Sequence, residues 1–151
     1  QPEKVQMMTY PMLATLCLAI CASAAQAQDG PGQKFMSNWD LDGDGAVTLS
    51  EARAMRENIF AAFDSDEDGN LSSDDYDMFD AARANDMASV TPEGRAPMRR
   101  VAGGLKREIT DLDHDGTVTL SEFLDSTAAW HEAIDTNGDG VVTPQDFGQG
   151  N

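Results

Sequence analysis

The sequence has few positive charges and almost no cysteine. Lysine and arginine number 10 against 27 acidic residues in a chain of 151, which gives a net charge of −17. Nucleic acids and anionic membranes are bound through basic faces that offset their phosphates, so this balance argues against both as partners and favours cations. The two cysteines, Cys17 and Cys21, lie within the first 27 residues. From Gln28 onward the chain therefore has neither disulfides nor thiol chemistry.

Histidine is scarce too, and no catalytic set of side chains is apparent. The chain has two histidines, His114 and His131. The first lies in one of the acidic loops described below, and the second lies on a predicted helix. An enzyme requires a nucleophile or an acid–base pair held in place by its neighbours. We interpret both histidines as incidental, and the sequence predicts a protein that is not an enzyme.

The apolar stretch near the N-terminus is too short for a transmembrane helix. It runs from Met12 to Ala25, is rich in small residues and ends in Ala25-Gln26-Ala27. This A-x-A pattern is typical of a signal-peptide cleavage site. We predict a signal peptide over 1–27, cleavage near Ala27, and a periplasmic or secreted chain that has no membrane association afterwards. An uncleaved N-terminal anchor and a lipid-modified Cys21 are the alternatives.

A twelve-residue acidic motif occurs four times. The stretch 40-DLDGDGAVTLSE-51 returns as 111-DLDHDGTVTLSE-122, and the same template matches 64-DSDEDGNLSSDD-75 and 135-DTNGDGVVTPQD-146. We number these loops one to four in chain order: 40–51, 64–75, 111–122 and 135–146. Loops within a pair start 24 residues apart, and the pair repeats after 71 residues. The chain is therefore a duplicated two-loop unit.

The spacing of oxygen-bearing residues in each loop is that of a site for a hard cation. Calcium takes about six to eight oxygens, which alternating carboxylates, one main-chain carbonyl and a closing carboxylate can supply. Glycine at position 6 permits the sharp turn. The predicted ligands at positions 1, 3, 5, 7 (carbonyl) and 12 are Asp40, Asp42, Asp44, Ala46 and Glu51; Asp64, Asp66, Asp68, Asn70 and Asp75; Asp111, Asp113, Asp115, Thr117 and Glu122; and Asp135, Asn137, Asp139, Val141 and Asp146.

Loops two and four are expected to bind more weakly than loops one and three. They close with Asp75 and Asp146, whose side chains are one methylene shorter than glutamate. Loop four also has Asn137 in place of a third-position carboxylate. We expect these two loops to tolerate magnesium better, and loop four is the first candidate for a loop that binds no metal.

These loops resemble those of the EF-hand family. The resemblance implies an all-α fold with four helix–loop–helix calcium loops in two tandem units, packed as one compact helical body. It also implies up to four bound Ca²⁺ ions, with Mg²⁺ or a lanthanide as possible occupants. We assign the first unit to 28–84, a linker to 85–97 and the second unit to 98–151.

Apolar stripes predict the helices around the loops. Residues 49–63 and 120–134 each carry apolar side chains at helical spacing. A third stripe extends from Met98 to Ile109, a shorter one includes Tyr76 and Phe79, and short segments near Phe35–Trp39 and Phe147 lead in and out. Thr48 and Thr119, each followed three residues later by glutamate, predict capping boxes where two of the helices begin. Gly103 and Gly104 should weaken the third helix.

The distance between loops predicts how they pair. A helix of fifteen residues is about 22 Å long, so it holds the loops that it joins at opposite ends. With the two connecting helices antiparallel, Val47 should lie beside Val142 and Leu71 beside Val118. The alternative is a break near Asn58 or Thr127 that lets sequence neighbours pair. This layout resembles the exported lanmodulin family, which prefers lanthanides, but the loops lack that family's proline at position 2 and aspartate at position 9.

One segment is basic. Arg95, Arg99, Arg100, Lys106 and Arg107 supply five of the nine positive charges after residue 27. We interpret the segment 95–107 as a solvated face that balances the acidic loops, or else as a docking site for an anionic protein partner or an internal clamp that metal releases. The sequence thus predicts an exported calcium-binding protein that acts as a metal buffer or sensor, or as an interaction module shaped by calcium. A lanthanide-binding protein and a dockerin-like adhesion module are the alternatives.

Overall fold

The chain is mostly helical in the computed structural model, which describes residues 30–92 and 94–148. The predicted signal peptide 1–27 lies outside these residues, as do 28–29 and 149–151 of the two units. The helices are α1 (Pro31–Trp39), α2 (Leu49–Phe63), α3 (Ser73–Ala88), α4 (Arg95–Gly103), α5 (Arg107–Thr110), α6 (Leu120–Asp125) and α7 (Thr127–Ile134). Two short strands, β1 (Asn70–Leu71) and β2 (Val118–Thr119), and a 3₁₀ turn (Pro144–Phe147) complete the described chain.

The helix that follows each loop begins where the loop ends, because the same residues serve both. Thr48 and Thr119 accept a hydrogen bond from the amide three residues later, and the glutamate at that position bonds back to the cap. These are the predicted capping boxes. Ser72 makes the same exchange with Asp75 at the start of α3, and Thr143 makes it with Asp146 at the 3₁₀ turn. Each loop thus nucleates the element that carries its own closing carboxylate.

The loops pair between units, as the spacing predicts. Strand β1 is antiparallel to β2, with Leu71 opposite Val118. Val47 bridges Val142 through two backbone hydrogen bonds of 2.7 and 2.9 Å. Helix α2 is uninterrupted between loops one and two, and it packs on α6 and α7. Loop one therefore meets loop four, and loop two meets loop three.

The second connecting helix is interrupted, so the prediction of one helix over 120–134 is wrong. α6 ends at Asp125 and α7 begins at Thr127. Ser126, between them, donates its hydroxyl to the carbonyl of Phe123. A serine side chain that bonds back to an earlier carbonyl in this way competes with the helix ladder and bends it. The interruption lies where the alternative placed it, near Thr127, yet it does not allow loops three and four to pair.

The apolar stripe from Met98 to Ile109 is not one helix either. α4 ends at Gly103, α5 begins at Arg107, and Ile109 is 51% exposed. Leu49, assigned to the stripe of α2, is 43% exposed. Gly104 lies directly beneath the buried ring of Trp130, where there is no room for a β-carbon. The close approach of α7 to this turn explains why the chain needs glycine there.

Substitution of the two adjacent glycines should have opposite effects on stability. Gly104→Ala places a methyl group against Trp130, whose indole N–H is bonded to the carbonyl of Val101, so we expect a loss of about 1–3 kcal/mol from overpacking. Gly103→Ala meets nothing within 4 Å and ends a helix, so a gain of up to about 1 kcal/mol is expected. Urea denaturation of both variants measures the difference. Equal stabilities would contradict this packing.

Both units contribute to one hydrophobic core. Phe35 and Trp39 of α1 contact Trp130 of α7, and Phe35 also contacts Phe147 of the 3₁₀ turn, with ring centroids 5.0 Å apart. This cluster joins the helix that enters loop one to the turn that leaves loop four. A second aromatic group lies towards the other loop pair and consists of Phe60, Phe63, Tyr76, Phe79 and Phe123.

Among the described residues, no helix is long and apolar enough to cross a membrane.

Candidate metal centre

All four loops share one backbone frame. The carboxylate at position 1 accepts a hydrogen bond from the amide at position 6 in every loop, at 2.8–3.0 Å. The position-6 residues have positive φ angles between 82° and 92°, a conformation that favours glycine. They are Gly45, Gly69, Gly116 and Gly140. Each loop thus curls around its first aspartate.

The closing carboxylates are anchored at the far end of each loop. In every loop the carboxylate at position 12 accepts the backbone amide of position 9 at 2.8–3.0 Å. In loops one and three the other oxygen of Glu51 or Glu122 accepts the amides at positions 2 and 3. The glutamates therefore connect the two ends of their loops and hold them in the curled form.

These hydrogen bonds keep the closing carboxylates ionised. The amide of Thr48 lowers the pKa of Glu51, and the amide of Thr119 lowers the pKa of Glu122. In loop two the hydroxyl of Ser65 and then that of Ser72 lower the pKa of Asp75 to about 2. A group with a lowered pKa stays anionic through neutral pH, which suits it to bind a cation.

Three loops bring carboxylate oxygens to within 4.8 Å of one another. The groups are Asp40, Asp42 and Glu51; Asp64, Asp66 and Asp68; and Asp111, Asp113 and Glu122. Like charges this close repel unless a cation lies among them. One oxygen of Asp111, Oδ1, is buried and has no hydrogen-bond partner in the described chain. An unsatisfied buried carboxylate oxygen at position 1 fits a bound calcium ion, for which hard oxygen ligands are the preferred set.

Loop four differs from the others at its centre. In the described chain its carboxylates do not form a group of three oxygens within 4.8 Å. The side-chain amide of Asn137, at position 3, donates a hydrogen bond of 3.0 Å to Asp139. The carboxylate oxygen that accepts this bond is one that a cation would otherwise use. The remaining side-chain ligands predicted for loops one to three, Asp44, Asp75 and Asp115, lie in their loops but outside the three groups.

Comparison with known proteins identifies the loops. A family model described as EF hand matches residues 109–125 and 132–150, which contain loops three and four. The calcium-binding protein LPS1-beta of Lytechinus pictus is 24% identical over an alignment of 164 positions that covers 80% of this chain and 68% of that protein. Loops three and four therefore match the EF-hand family, and the chain is similar to a calcium-binding protein over most of its length. Loops one and two lie outside the matched ranges and carry the same template.

A second relative shares only a part. A transaldolase of Thermosynechococcus vestitus is 43% identical to this chain over 58 residues. The match covers 38% of this chain and 14% of the transaldolase. The chain therefore spans a small fraction of that enzyme's length, and the similarity is local.

Sequence reasoning missed two buried residues that support the loops. His131 of α7, interpreted as incidental, is buried, and its Nε2 lies 2.9 Å from the carbonyl of Val47 in loop one. Arg56 of α2 is fully buried and bonds to the carbonyl of Phe123, the residue after Glu122. No pattern in the sequence indicates either contact, because both join residues more than 60 positions apart.

Two residues of the basic segment donate hydrogen bonds near the ends of loops. Arg100 donates to the carbonyl of Asp146, the closing residue of loop four, at 2.9 Å. Arg107 bonds to Ser73 and Asp77 at the start of α3 and lies over the ring of Tyr76. Both contacts tie helices of the second unit to loop ends. Arg95, Arg99, Arg100 and Lys106 are exposed.

Proposed function

We propose that this protein is an exported calcium buffer that binds up to four calcium ions, one in each loop. The loops fill as two pairs that cross the units, loop one with loop four and loop two with loop three. One observation carries the proposal. All four loops have the same position-1 to position-6 and position-9 to position-12 hydrogen bonds, and their position-8 residues pair between units.

The loops differ in their expected affinity. Loops one and three have a closing glutamate that reaches into a group of three carboxylate oxygens. In loop two Asp75 lies outside such a group and accepts hydrogen bonds from Ser65 and Ser72. In loop four the side-chain amide of Asn137 donates a hydrogen bond to Asp139. An exported buffer meets abundant calcium, for which affinities of about 10⁻⁴–10⁻³ M suffice. Loops one and three should lie at the tighter end of this range.

Isothermal titration calorimetry tests the number and order of sites. The chain from Gln28 is titrated with calcium, and we expect two tighter and up to two weaker binding steps. Glu122→Gln should abolish a tight step, and Asp146→Asn should affect only a weak one. Parallel titrations with magnesium and lanthanum compare the proposed metal with its alternatives. A total of one calcium site, or tightest binding at loop four, would contradict the proposal.

Export and the absence of catalysis are parts of the same proposal. Export is supported by the sequence of 12–27, and N-terminal sequencing of the natural protein should find a chain that begins near Gln28. A non-catalytic role is supported by the two histidines, since His131 contacts a loop carbonyl and His114 is exposed in loop three. The dockerin-like alternative has two loops of this kind, whereas this chain has four.

A calcium sensor is a second candidate, favoured by one observation. An apolar cleft of about 220 Å³ lies between α1, α2, α3 and α4, and its lining includes Met55, Met87 and Met98. Sensor proteins expose methionine-rich grooves when calcium binds. A hydrophobic dye that becomes fluorescent only in calcium would favour the sensor over the buffer. Arg95, Arg99 and Lys106 are the members of the basic segment that remain open to an anionic protein partner.

A further inference from the structure

Arg56 is buried without a carboxylate partner in the described chain. It is 0% exposed, and its Nε and Nη2 donate to the carbonyl of Phe123 at 3.2 and 2.6 Å. Nη2 also donates to the hydroxyl of Ser126 at 2.6 Å. The guanidinium lies over the rings of Phe123 and Trp130, 4.4 and 5.3 Å from their centroids. Its surroundings are therefore aromatic rings, one carbonyl and one hydroxyl.

Burial of such a residue is weak evidence that it stabilises the fold. Removing a cation from water is costly, and burial lowers the pKa of Arg56 to about 10, which leaves it charged at neutral pH. Buried charged groups can often be replaced by apolar residues of similar volume at no cost in stability, and some are retained because they specify one arrangement of the chain. The arrangement that Arg56 specifies can be read from the atoms that it contacts.

Those atoms form the end of α6. A helix leaves its last carbonyls without intrahelical partners, and basic side chains near the C-terminus can satisfy them. Arg56 satisfies Phe123, and the exposed Arg53, one turn earlier on α2, donates to Leu124 at 3.0 Å. In an uninterrupted helix the carbonyl of Phe123 would accept from the amide of Thr127. Arg56 occupies that acceptor at the point where α6 ends.

Comparison of the two duplicated units shows that their connecting helices differ. Arg56 corresponds to Thr127, 71 positions later, and the helix that carries the arginine is continuous while the helix that carries the threonine is interrupted. Unit one thus provides the Arg56 side chain, and unit two provides the interrupted helix that this side chain contacts. Phe123 directly follows Glu122, so an anchor on the Phe123 carbonyl fixes the six-residue helix on which the closing carboxylate of loop three is carried.

We propose that Arg56 is a positioning residue for loop three. It ends α6 at Asp125 and holds Glu122 in place, and through α2 it links loop three to the unit that carries loops one and two. The inference rests on the proposed binding of calcium by loops one and three. Residues that orient metal ligands from outside the ligand set contribute about 10- to 100-fold to metal affinity.

The first test uses two parent variants. In Glu51→Gln the remaining glutamate-closed loop is loop three, and in Glu122→Gln it is loop one. Adding Arg56→Met, which keeps length and apolar packing, should weaken the tightest calcium step about tenfold in the first parent and less than twofold in the second. Arg56→Lys should lose less than Arg56→Met. Arg99→Met is the control for loss of one positive charge and should leave both parents within twofold, because Arg99 is exposed on α4.

A merely structural role gives a different result. Arg56→Met would then lower the melting temperature in chelator and weaken calcium binding equally in both parents, and that outcome overturns the proposal. No weakening in either parent overturns it too. If neither parent binds calcium, the four-loop proposal fails separately, and a metal-free measurement still decides the role of Arg56. In chelator, Arg56→Met should let Thr127 bond to Phe123 and slow hydrogen exchange at the Thr127 amide. Unchanged exchange there shows that Arg56 does not end α6.

Discussion

Removal of calcium is expected to lower the melting temperature of this protein by about 20 °C. A ligand at 100 times its dissociation constant stabilises the form that binds it by about 2.7 kcal/mol, so two glutamate-closed loops give about 5 kcal/mol. One kcal/mol corresponds to about 4 °C for a domain of this size. The carboxylates are the physical reason. Fifteen of the 26 acidic residues after residue 27 lie at ligand positions and repel one another without a cation.

Circular dichroism in chelator and in calcium measures this difference. Helicity and melting temperature should rise together, since the closing carboxylates of loops one to three lie in helices. Two glutamates on α2 provide a matched pair. Glu51→Gln should reduce the calcium-dependent rise, whereas Glu57→Gln, an exposed residue outside the loops, should retain it. Superimposable melting curves with and without calcium would contradict the expectation.

Phe35→Ala should be among the most destabilising single substitutions, with a loss of about 3–5 kcal/mol. Phe35 is 1% exposed and contacts Trp39, Trp130 and Phe147. The cavity left by its ring would separate α1, which enters loop one, from the 3₁₀ turn, which leaves loop four. We therefore also expect weaker calcium binding at loops one and four, and smaller effects at loops two and three.

Met78→Ala on α3 is the control for this substitution. Met78 is 51% exposed, so its removal should change stability by no more than about 0.5 kcal/mol. Chemical denaturation in chelator separates the packing effect from the metal effect, and calorimetric titration then reports the affinities. A Phe35→Ala variant as stable as Met78→Ala would show that the N-terminal helix is not part of the core.

The loops and their pairing could be predicted from sequence because local rules decide them. Glycine at position 6, a capping residue at position 9 and an acid at position 12 act within twelve residues, and they produce the same hydrogen bonds in every loop. The length of α2 excludes pairing of loop one with loop two, and an antiparallel arrangement of the two connecting helices then places Val47 beside Val142. A fifteen-residue helix is too long for its two loops to meet.

The remaining features depend on contacts between distant parts of the chain. The carbonyl of Phe123, near the end of α6, accepts a hydrogen bond from Arg56, which is 67 residues away. The stripe from Met98 to Ile109 has helical periodicity, yet α4 ends at Gly103 and the next turn packs against Trp130. His131 has a structural partner in loop one that its position on a helix does not reveal. The periodicity of apolar residues predicts which face of a helix is buried. It does not predict where another helix packs against that face.

The cross-unit pairing bears on how such a chain could arise. A single unit carries its two position-8 residues at opposite ends of one helix, so it cannot satisfy both by itself. Two copies related by a twofold axis could satisfy all four, and symmetric dimers of this kind are the commonest assemblies of identical chains. The duplicated chain has the connectivity of such a dimer fused end to end. Fusion turns an encounter between two molecules into an intramolecular one. We therefore expect its response to calcium to be independent of the protein concentration.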